Sequence, residues 1–222
     1  MINPKETESS YRFLTEAAMK ALQEDGWSIS KSTGHGRANV WNINKNGKSG
    51  RVSIRTTRDR WIAYQPLKKG SSWKTLGEVD FVCVSAFVYN EKSEGPIGVN
   101  VHLIDASIVK EAFNQNYSAR VSEGHTVTDN FGMWVCIDQC SGTQAAHVGS
   151  GFATEKNLIA NYPLDSLIAA STDQAANLPQ VQQASHSKPV SVSDILDQDR
   201  IDISKITGIP VEGVSLDLHL KA

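Results

Sequence analysis

The sequence of 222 residues predicts an α/β fold with a mixed central sheet of about five strands flanked by helices. Three observations predict this fold. An amphipathic helical pattern precedes several short segments in which apolar and polar residues alternate. A long, predominantly apolar run at 79–88 indicates a strand covered on both faces. A further strand pattern leads directly into a second helical pattern, and a small C-terminal appendage is predicted to follow after a flexible linker.

Two helices of the main region are predicted from the spacing of their apolar residues. Residues 7–25 place Leu14 and Leu22 on one side of a helix, and Gly26 ends the pattern. A second helix is predicted from about residue 105 to residue 119.

The strands are predicted from alternation and from turn residues. Asn46-Gly47 is a strong signal for a hairpin turn between two of them. Residues 61–64 either continue the preceding strand or form another short one. The predicted strands cover 27–30, 40–43, 51–56, 61–64, 79–88, 99–104 and 133–137.

The chain divides into four predicted regions. Residues 1–140 form the α/β core, and residues 141–170 form a helical extension with a helix over 154–170. Residues 171–188 are rich in Gln, Ala and Ser and predict a flexible linker. Residues 189–222 predict a small helix–strand module that is too short to form a comfortable core alone, so it is expected to dock on the main domain, a second copy or a partner.

Composition limits the cellular setting. No run approaches the roughly 18–20 apolar residues of a membrane span, so no membrane partner is expected. The three cysteines, Cys83, Cys136 and Cys140, do not form an even disulfide framework, and a cytoplasmic location is expected. Cys136 and Cys140 are interpreted as ordinary thiols near a strand end, and no metal site or cofactor is predicted.

Charge is concentrated in residues 45–74, which we call the basic segment. It contains nine Lys or Arg residues and one acid, Asp59, whereas the whole chain has a net charge of −2. Trp61, Tyr64 and Trp73 lie among the cations. Cations neutralise phosphates and aromatic rings stack on bases, which predicts a nucleic-acid-facing hairpin. The alternative is a solubilising sheet edge whose aromatic residues belong to the core.

The order helix–strand–strand–strand–helix–strand over residues 10–137 resembles the PD-(D/E)XK nuclease-like superfamily. Three segments carry the resemblance: RVSIRTTRDRWIAY at 51–64, VDFVCVSAFV at 79–88 and VHLIDASIV at 101–109. The resemblance implies a restriction-endonuclease-like fold and a nuclease site that holds a divalent cation.

This resemblance also implies which residues of the nuclease site are missing. The first acid of the family should fall at 39–42, where no acid is present, and its Glu/Gln-x-Lys motif should fall on Ser53-Ile54-Arg55. Serine cannot replace a carboxylate as a ligand of a hard cation, and arginine is a poor proton acceptor. The resemblance therefore implies a degenerate active site and a surviving basic groove.

The sequence predicts a nucleic-acid-binding protein without catalytic activity, with DNA favoured over RNA. Its predicted binding residues are Arg51, Arg55, Arg58, Arg60, Trp61, Lys68 and Lys69. One alternative is a protein-interaction or regulatory module that forms homo-oligomers or recruits a protein partner through residues 189–222. A second alternative is an active nuclease that uses Mg²⁺ or Mn²⁺ with Glu16, Glu78 and Asp80 in a migrated arrangement.

Overall fold

A computed structural model describes residues 4–32, 39–90, 92–93 and 95–167, with side chains from residue 10 onward. The predicted linker at 171–188 and the predicted module at 189–222 lie outside the described residues, and the interaction alternative that depends on them stays a prediction.

The described residues form two long helices, ten strands and three short turns of 3₁₀ helix. In chain order they are α1 (Pro4–Glu24), β1 (Ser28–Lys31), β2 (Val40–Lys45), β3 (Lys48–Thr57), β4 (Trp61–Tyr64), β5 (Pro66–Leu67), β6 (Ser72–Trp73), β7 (Phe81–Val88), β8 (Gly98–Asp105), α2 (Ala106–Ser122), β9 (Met133–Cys136) and β10 (Leu158–Pro163). Neither described helix combines the length and apolar character needed to cross a lipid bilayer.

The central sheet has six strands in the order β1-β2-β3-β7-β8-β10. β3 and β7 run parallel, with Val52 opposite Phe81, and the other neighbouring pairs are antiparallel. The predicted α/β class and mixed sheet are confirmed, with one strand more than expected. The restriction-endonuclease-like label stays a prediction.

Two smaller sheets lie beside the central one. Residues 61–64 form β4, a strand of its own, which pairs antiparallel with β9. β5 and β6 form a short hairpin between β4 and β7. The segment between β3 and β7 forms part of a second layer. Neighbouring parallel strands cannot be joined by a tight turn, so the chain between them must leave the sheet and return to it.

Hydrophobic cores lie on both faces of the central sheet, and β7 contributes to both. Phe81 and Cys83 face α1, whereas Val82 and Val84 face α2 and the β4–β9 pair. Seven of the eight residues of β7 are buried, which confirms the prediction of a strand covered on both faces. The α1 core includes Leu14, Ala18, Leu22, Val52, Val99 and Val101, and the α2 core includes Tyr64, Trp73, Ile104, Phe113, Val135 and Ile137.

The hairpin between β2 and β3 turns at Asn46-Gly47, as predicted. Asn46 has φ +52° and Gly47 has φ +80°, which is the pair of positive values that a type I′ turn requires. Lys45 and Lys48 face each other across this turn.

The predicted helix over 154–170 is wrong for most of its length. Residues 155–157 form a single 3₁₀ turn, residues 158–163 form β10 against β8, and only 164–167 are helical in the described part. The extension of the core therefore completes the central sheet rather than adding a helix. Over so short a stretch the spacing of the apolar residues fits both a helix and a strand, and pairing with β8 selects the strand.

Candidate nucleic-acid interface

Acids from elsewhere in the chain neutralise part of the basic segment. Lys45 Nζ lies 3.0 Å from a carboxylate oxygen of Asp25. Arg60 donates two hydrogen bonds to Asp138, from Nε at 2.7 Å and from Nη2 at 2.6 Å, and its Nη1 reaches the carbonyl of Phe87. The paired arrangement of Arg60 and Asp138 is the geometry that binds a guanidinium most firmly.

Two further acids bind the backbone of the basic segment. Asp80 accepts a hydrogen bond from the Arg51 amide at 2.8 Å. Asp129 accepts from the Lys69 amide at 2.9 Å. The charge excess seen in the linear sequence is therefore smaller at the folded surface.

The aromatic residues of the basic segment have separate roles. Tyr64 and Trp73 are core residues, each at most 3% exposed, and Trp73 Nε1 donates to Asn114. The Arg55 guanidinium lies 4.3 Å from the centre of the Tyr64 ring, a cation–π contact, and its Nε is buried. Trp61 is half-buried and lines a surface groove.

This surface groove, which we call the aromatic groove, has a volume of about 730 Å³. It lies where β3 ends and β4 begins, between the first half of α1 and strand β9. Its lining consists of Ser10, Tyr11, Leu14, Thr56, Thr57, Arg58, Asp59, Trp61, Tyr89 and Trp134.

Three of the four aromatic side chains in the aromatic groove are well exposed. Tyr11 is 44% exposed, Tyr89 49% and Trp134 53%. Tyr11 is oriented by a 2.6 Å hydrogen bond from its hydroxyl to Asn39, and the Trp61 ring lies 6.4 Å from the ring of His147. These contacts restrain the Tyr11 and Trp61 side chains at the wall of the groove.

The charged groups of the aromatic groove are Arg58 and Asp59. Within the described residues, Arg58 forms no hydrogen bond or ion pair, so its guanidinium is available to a ligand. Asp59 accepts hydrogen bonds from the Thr57 hydroxyl at 3.0 Å and from the Trp61 amide at 3.3 Å. Asp59 thereby fixes the turn that presents both Arg58 and Trp61.

The seven predicted binding residues do not form one surface. Arg58 and Trp61 share the aromatic groove, whereas Arg51 lines a different groove of about 470 Å³ over β1, β2 and β3. Arg55 and Arg60 are held by Tyr64 and Asp138, as described above. Lys68 and Lys69 lie in the β5–β6 turn, and both have positive φ. This turn comes after the C-terminal end of β4, whereas Trp61 lies at the N-terminal end of β4.

The three carboxylates of the nuclease alternative are also separated along the fold. Glu16 lies on the exposed side of α1 and pairs with Arg12 at 2.9 Å. Asp80 precedes β7 and lines the Arg51 groove, and Glu78 lies in an exposed 3₁₀ turn. In the part of the chain that the structure describes, no group of three or more His, Cys, Asp or Glu side chains is placed so that it could hold a metal ion.

Tyr11, Tyr89 and Trp134 line the candidate site and are absent from the binding residues that the sequence predicts. A signal for one of them was present in β9, where Met133, Val135 and Cys136 are buried and Trp134 faces outward. A large aromatic residue at the outward position of an alternating strand indicates a surface role. Tyr11 and Tyr89 come from α1 and the end of β7, and only the fold brings them together.

Comparison with known proteins assigns no family. No family model matches the chain, and no curated protein or solved structure matches it. The geometry of the aromatic groove therefore carries the functional argument.

Proposed function

We propose that the protein binds single-stranded nucleic acid in the aromatic groove and leaves the strand intact. The observation that carries this proposal is the grouping of four aromatic side chains around one arginine without an ion-pair partner in the described residues. The aromatic residues are Tyr11, Trp61, Tyr89 and Trp134, and the arginine is Arg58.

The chemistry of these groups suits an unpaired strand. Aromatic faces stack on bases of any identity, with a contribution of roughly 1–3 kcal/mol per base. The Arg58 guanidinium offers a planar set of donors to a phosphate. A duplex keeps its base faces stacked on one another, so an aromatic groove favours a single strand. DNA is the first candidate and RNA the comparison.

The basic segment supports the proposal less directly than the sequence indicates. Its exposed cations, including Lys68 and Lys69, add to the potential that attracts a polyanion even where they do not touch it. Four of its charges or amides are occupied by acids, so binding is expected to depend on stacking as well as on phosphate neutralisation. Affinity should fall with salt less steeply than for a protein that binds phosphates alone.

The test is fluorescence anisotropy with labelled single- and double-stranded DNA and RNA across a salt series, with and without Mg²⁺ or Mn²⁺. Trp134→Ala and Arg58→Ala should each weaken single-strand binding about fivefold or more. Lys110→Ala, which removes an exposed cation on α2 away from the groove, is the matched control and should leave binding unchanged.

Three outcomes would decide between the functions. Binding that both groove variants weaken, with intact substrate on a gel, supports the proposal. No binding at low salt, or binding that neither variant affects, overturns it. Cutting that requires the metal and is lost in Glu16→Gln would support the nuclease alternative.

A further inference from the structure

A second, smaller groove lies on the other side of Trp134. It has a volume of about 360 Å³, and we call it the distal groove. Trp134 lines both the aromatic groove and the distal groove, so the two are adjacent on the surface. The lining of the distal groove includes Arg120, Thr126, Val127, Thr128, Phe131 and Trp134, and it contains no acid.

Phe131 is the most unusual side chain of the distal groove. It is 75% exposed, more than any other large apolar residue in the part of the chain that the structure describes. Hydrogen bonds hold the backbone that carries it, since the Phe131 amide donates to the Thr128 carbonyl at 3.3 Å and the Asn130 amide donates to the Pro66 carbonyl at 2.9 Å. A large apolar ring exposed to water beside a groove indicates an interaction surface.

Arg120 supplies the positive charge of the distal groove. Its Nε donates to Asn116 at 2.6 Å, and its Nη2 donates to the Trp134 carbonyl at 3.2 Å. These bonds fix the guanidinium at the junction of the two grooves, and none of them involves an acid. Within the described residues Arg120 has no ion-pair partner, so its charge is available to an anion.

Each groove therefore combines exposed aromatic faces with one arginine that has no described acidic partner. The aromatic groove pairs its rings with Arg58, and the distal groove pairs Phe131 with Arg120, with Trp134 between them. Repetition of this combination fits a polymer in which a base and a phosphate recur in every unit. The threonine hydroxyls of the distal groove add hydrogen-bond partners for sugar or phosphate oxygens.

We infer that one single strand occupies both grooves, with a base stacked on Trp134 at the junction and another on Phe131. This inference rests on the proposed function and extends it by giving the path of the strand. The bound segment then spans roughly four or more nucleotides. A strand too short to pass Trp134 binds the aromatic groove alone.

The test compares short oligothymidylates of about three nucleotides with long ones of about twelve nucleotides, using full-length protein and fluorescence anisotropy. Phe131→Ala should weaken binding of the long strand about fivefold or more and leave the short strand unaffected. Trp61→Ala should weaken both. Ile108→Ala removes another exposed apolar side chain, 48% exposed on α2, and should change neither affinity.

The outcomes separate this inference from the proposed function. If no strand of either length binds the wild-type protein, both fail. If the long strand binds equally well to wild type and Phe131→Ala, the strand path is wrong and the aromatic-groove proposal stands. Photocrosslinking of 5-iodouracil placed at each end of the long strand gives a second readout, because one end should label the peptide that contains Phe131. Labelling confined to peptides of the aromatic groove overturns the path.

Discussion

Arg58 and Arg60 are two residues apart and carry the same charge, but only Arg60 has an acidic partner among the described residues. Arg60 has a positive φ of +69°, and its guanidinium, 21% exposed, is bound by both oxygens of Asp138. Asp138 follows β9, so this pair joins the β3–β4 turn to a segment 78 residues later. Arg58 has no such partner in the described residues and lines the aromatic groove.

Substitution by alanine at these two positions should separate stability from binding. Arg60→Ala is expected to lower the free energy of unfolding by about 1 kcal/mol, because it removes a paired but partly exposed ion pair. Arg58→Ala should leave stability unchanged and weaken nucleic-acid binding. Urea denaturation and anisotropy of both variants check this. Equal loss of binding in both would show that the charge of the segment matters more than the position of each guanidinium.

His102 on β8 is buried and has a defined tautomer. Its Nδ1 lies 2.9 Å from Asn157 Oδ1 and 3.2 Å from the Thr154 carbonyl, and both are acceptors, so Nδ1 carries the proton. Nε2 is buried and has no described hydrogen-bond partner. Burial lowers the pKa of His102 below its usual value, and the positive charge of Arg60 acts in the same direction.

The lowered pKa of His102 predicts a loss of stability in acid. Below the ordinary histidine pKa of 6.5, the unfolded chain binds a proton at this position that the folded chain does not. The free energy of unfolding should therefore fall as the pH falls below about 6.5. His102→Asn can still donate to Asn157 but cannot titrate there. Urea titrations between about pH 8 and pH 5 should show a steeper acid slope for wild type, and parallel slopes would contradict the prediction.

At the scale of elements, β8 and β10 leave no room for a side chain at Gly98. A Cβ atom at Gly98 would lie 2.6 Å from the backbone carbonyl oxygen of Tyr162. Gly98 also pairs with Pro163, the last residue of β10. The edge of the central sheet therefore depends on the absence of a side chain at this position.

Gly98→Ala should weaken the β8–β10 pairing and lower the free energy of unfolding by roughly 1–3 kcal/mol, since neither backbone can shift freely. Gly77→Ala is the matched control, because a Cβ at Gly77 meets nothing within 4 Å. That variant should keep or slightly raise stability. Thermal melts of both would test the prediction, and similar melting temperatures would show that β10 can move away from β8 at little cost.

The sequence predicts correctly those helices, strands and turns whose conformation is determined by residues close to one another in the chain. The apolar stripe of α1, the Asn46-Gly47 turn and the apolar run of β7 each specify their conformation within a few residues. β10 was mispredicted because its pattern is short and depends on β8. Pro163 was the available signal against a helix over 154–170, since proline in a helix interior removes a hydrogen bond.

The candidate site was harder to predict than the fold. Arg58 and Trp61, which line the aromatic groove, are predicted from charge and aromatic content, which are visible in the sequence. The roles of Arg55 and Arg60 depend on Tyr64 and Asp138, and pairing with Asp138 requires the antiparallel contact of β4 with β9. Contacts between residues that are distant in the sequence cannot be inferred from a local pattern. A basic segment therefore suggests a single charged surface even when its side chains lie on several surfaces of the fold.

At the scale of the whole described structure, the two cores share the central sheet as a common wall. Leu22 on α1 and Phe113 on α2 are both fully buried, on opposite faces of the sheet. Because alternate residues of β7 belong to the two cores, unfolding of one core should expose the apolar residues of the other core. This arrangement predicts one cooperative unfolding transition for the sheet and both helices.

Core substitutions on the two faces should therefore shift the same transition. Leu22→Ala and Phe113→Ala are each expected to lower the free energy of unfolding by about 2–5 kcal/mol. Tryptophan fluorescence and far-ultraviolet circular dichroism should give coincident midpoints in each variant. Ile108→Ala, an exposed control, should stay within about 0.5 kcal/mol of wild type. Two separate steps, with only one moved by each substitution, would show that the cores unfold independently.

The contact between α1 and β10 has a consequence for how the protein is made. The hydroxyl of Tyr162 donates to the carboxylate of Glu24, 138 residues earlier in the chain. A ribosome adds about 5–20 residues per second, so α1 leaves the exit tunnel on the order of ten seconds before β10 does. During that interval part of its apolar face lacks its final cover. The nascent chain should therefore be most prone to aggregate, and most dependent on chaperones, until β10 has left the exit tunnel.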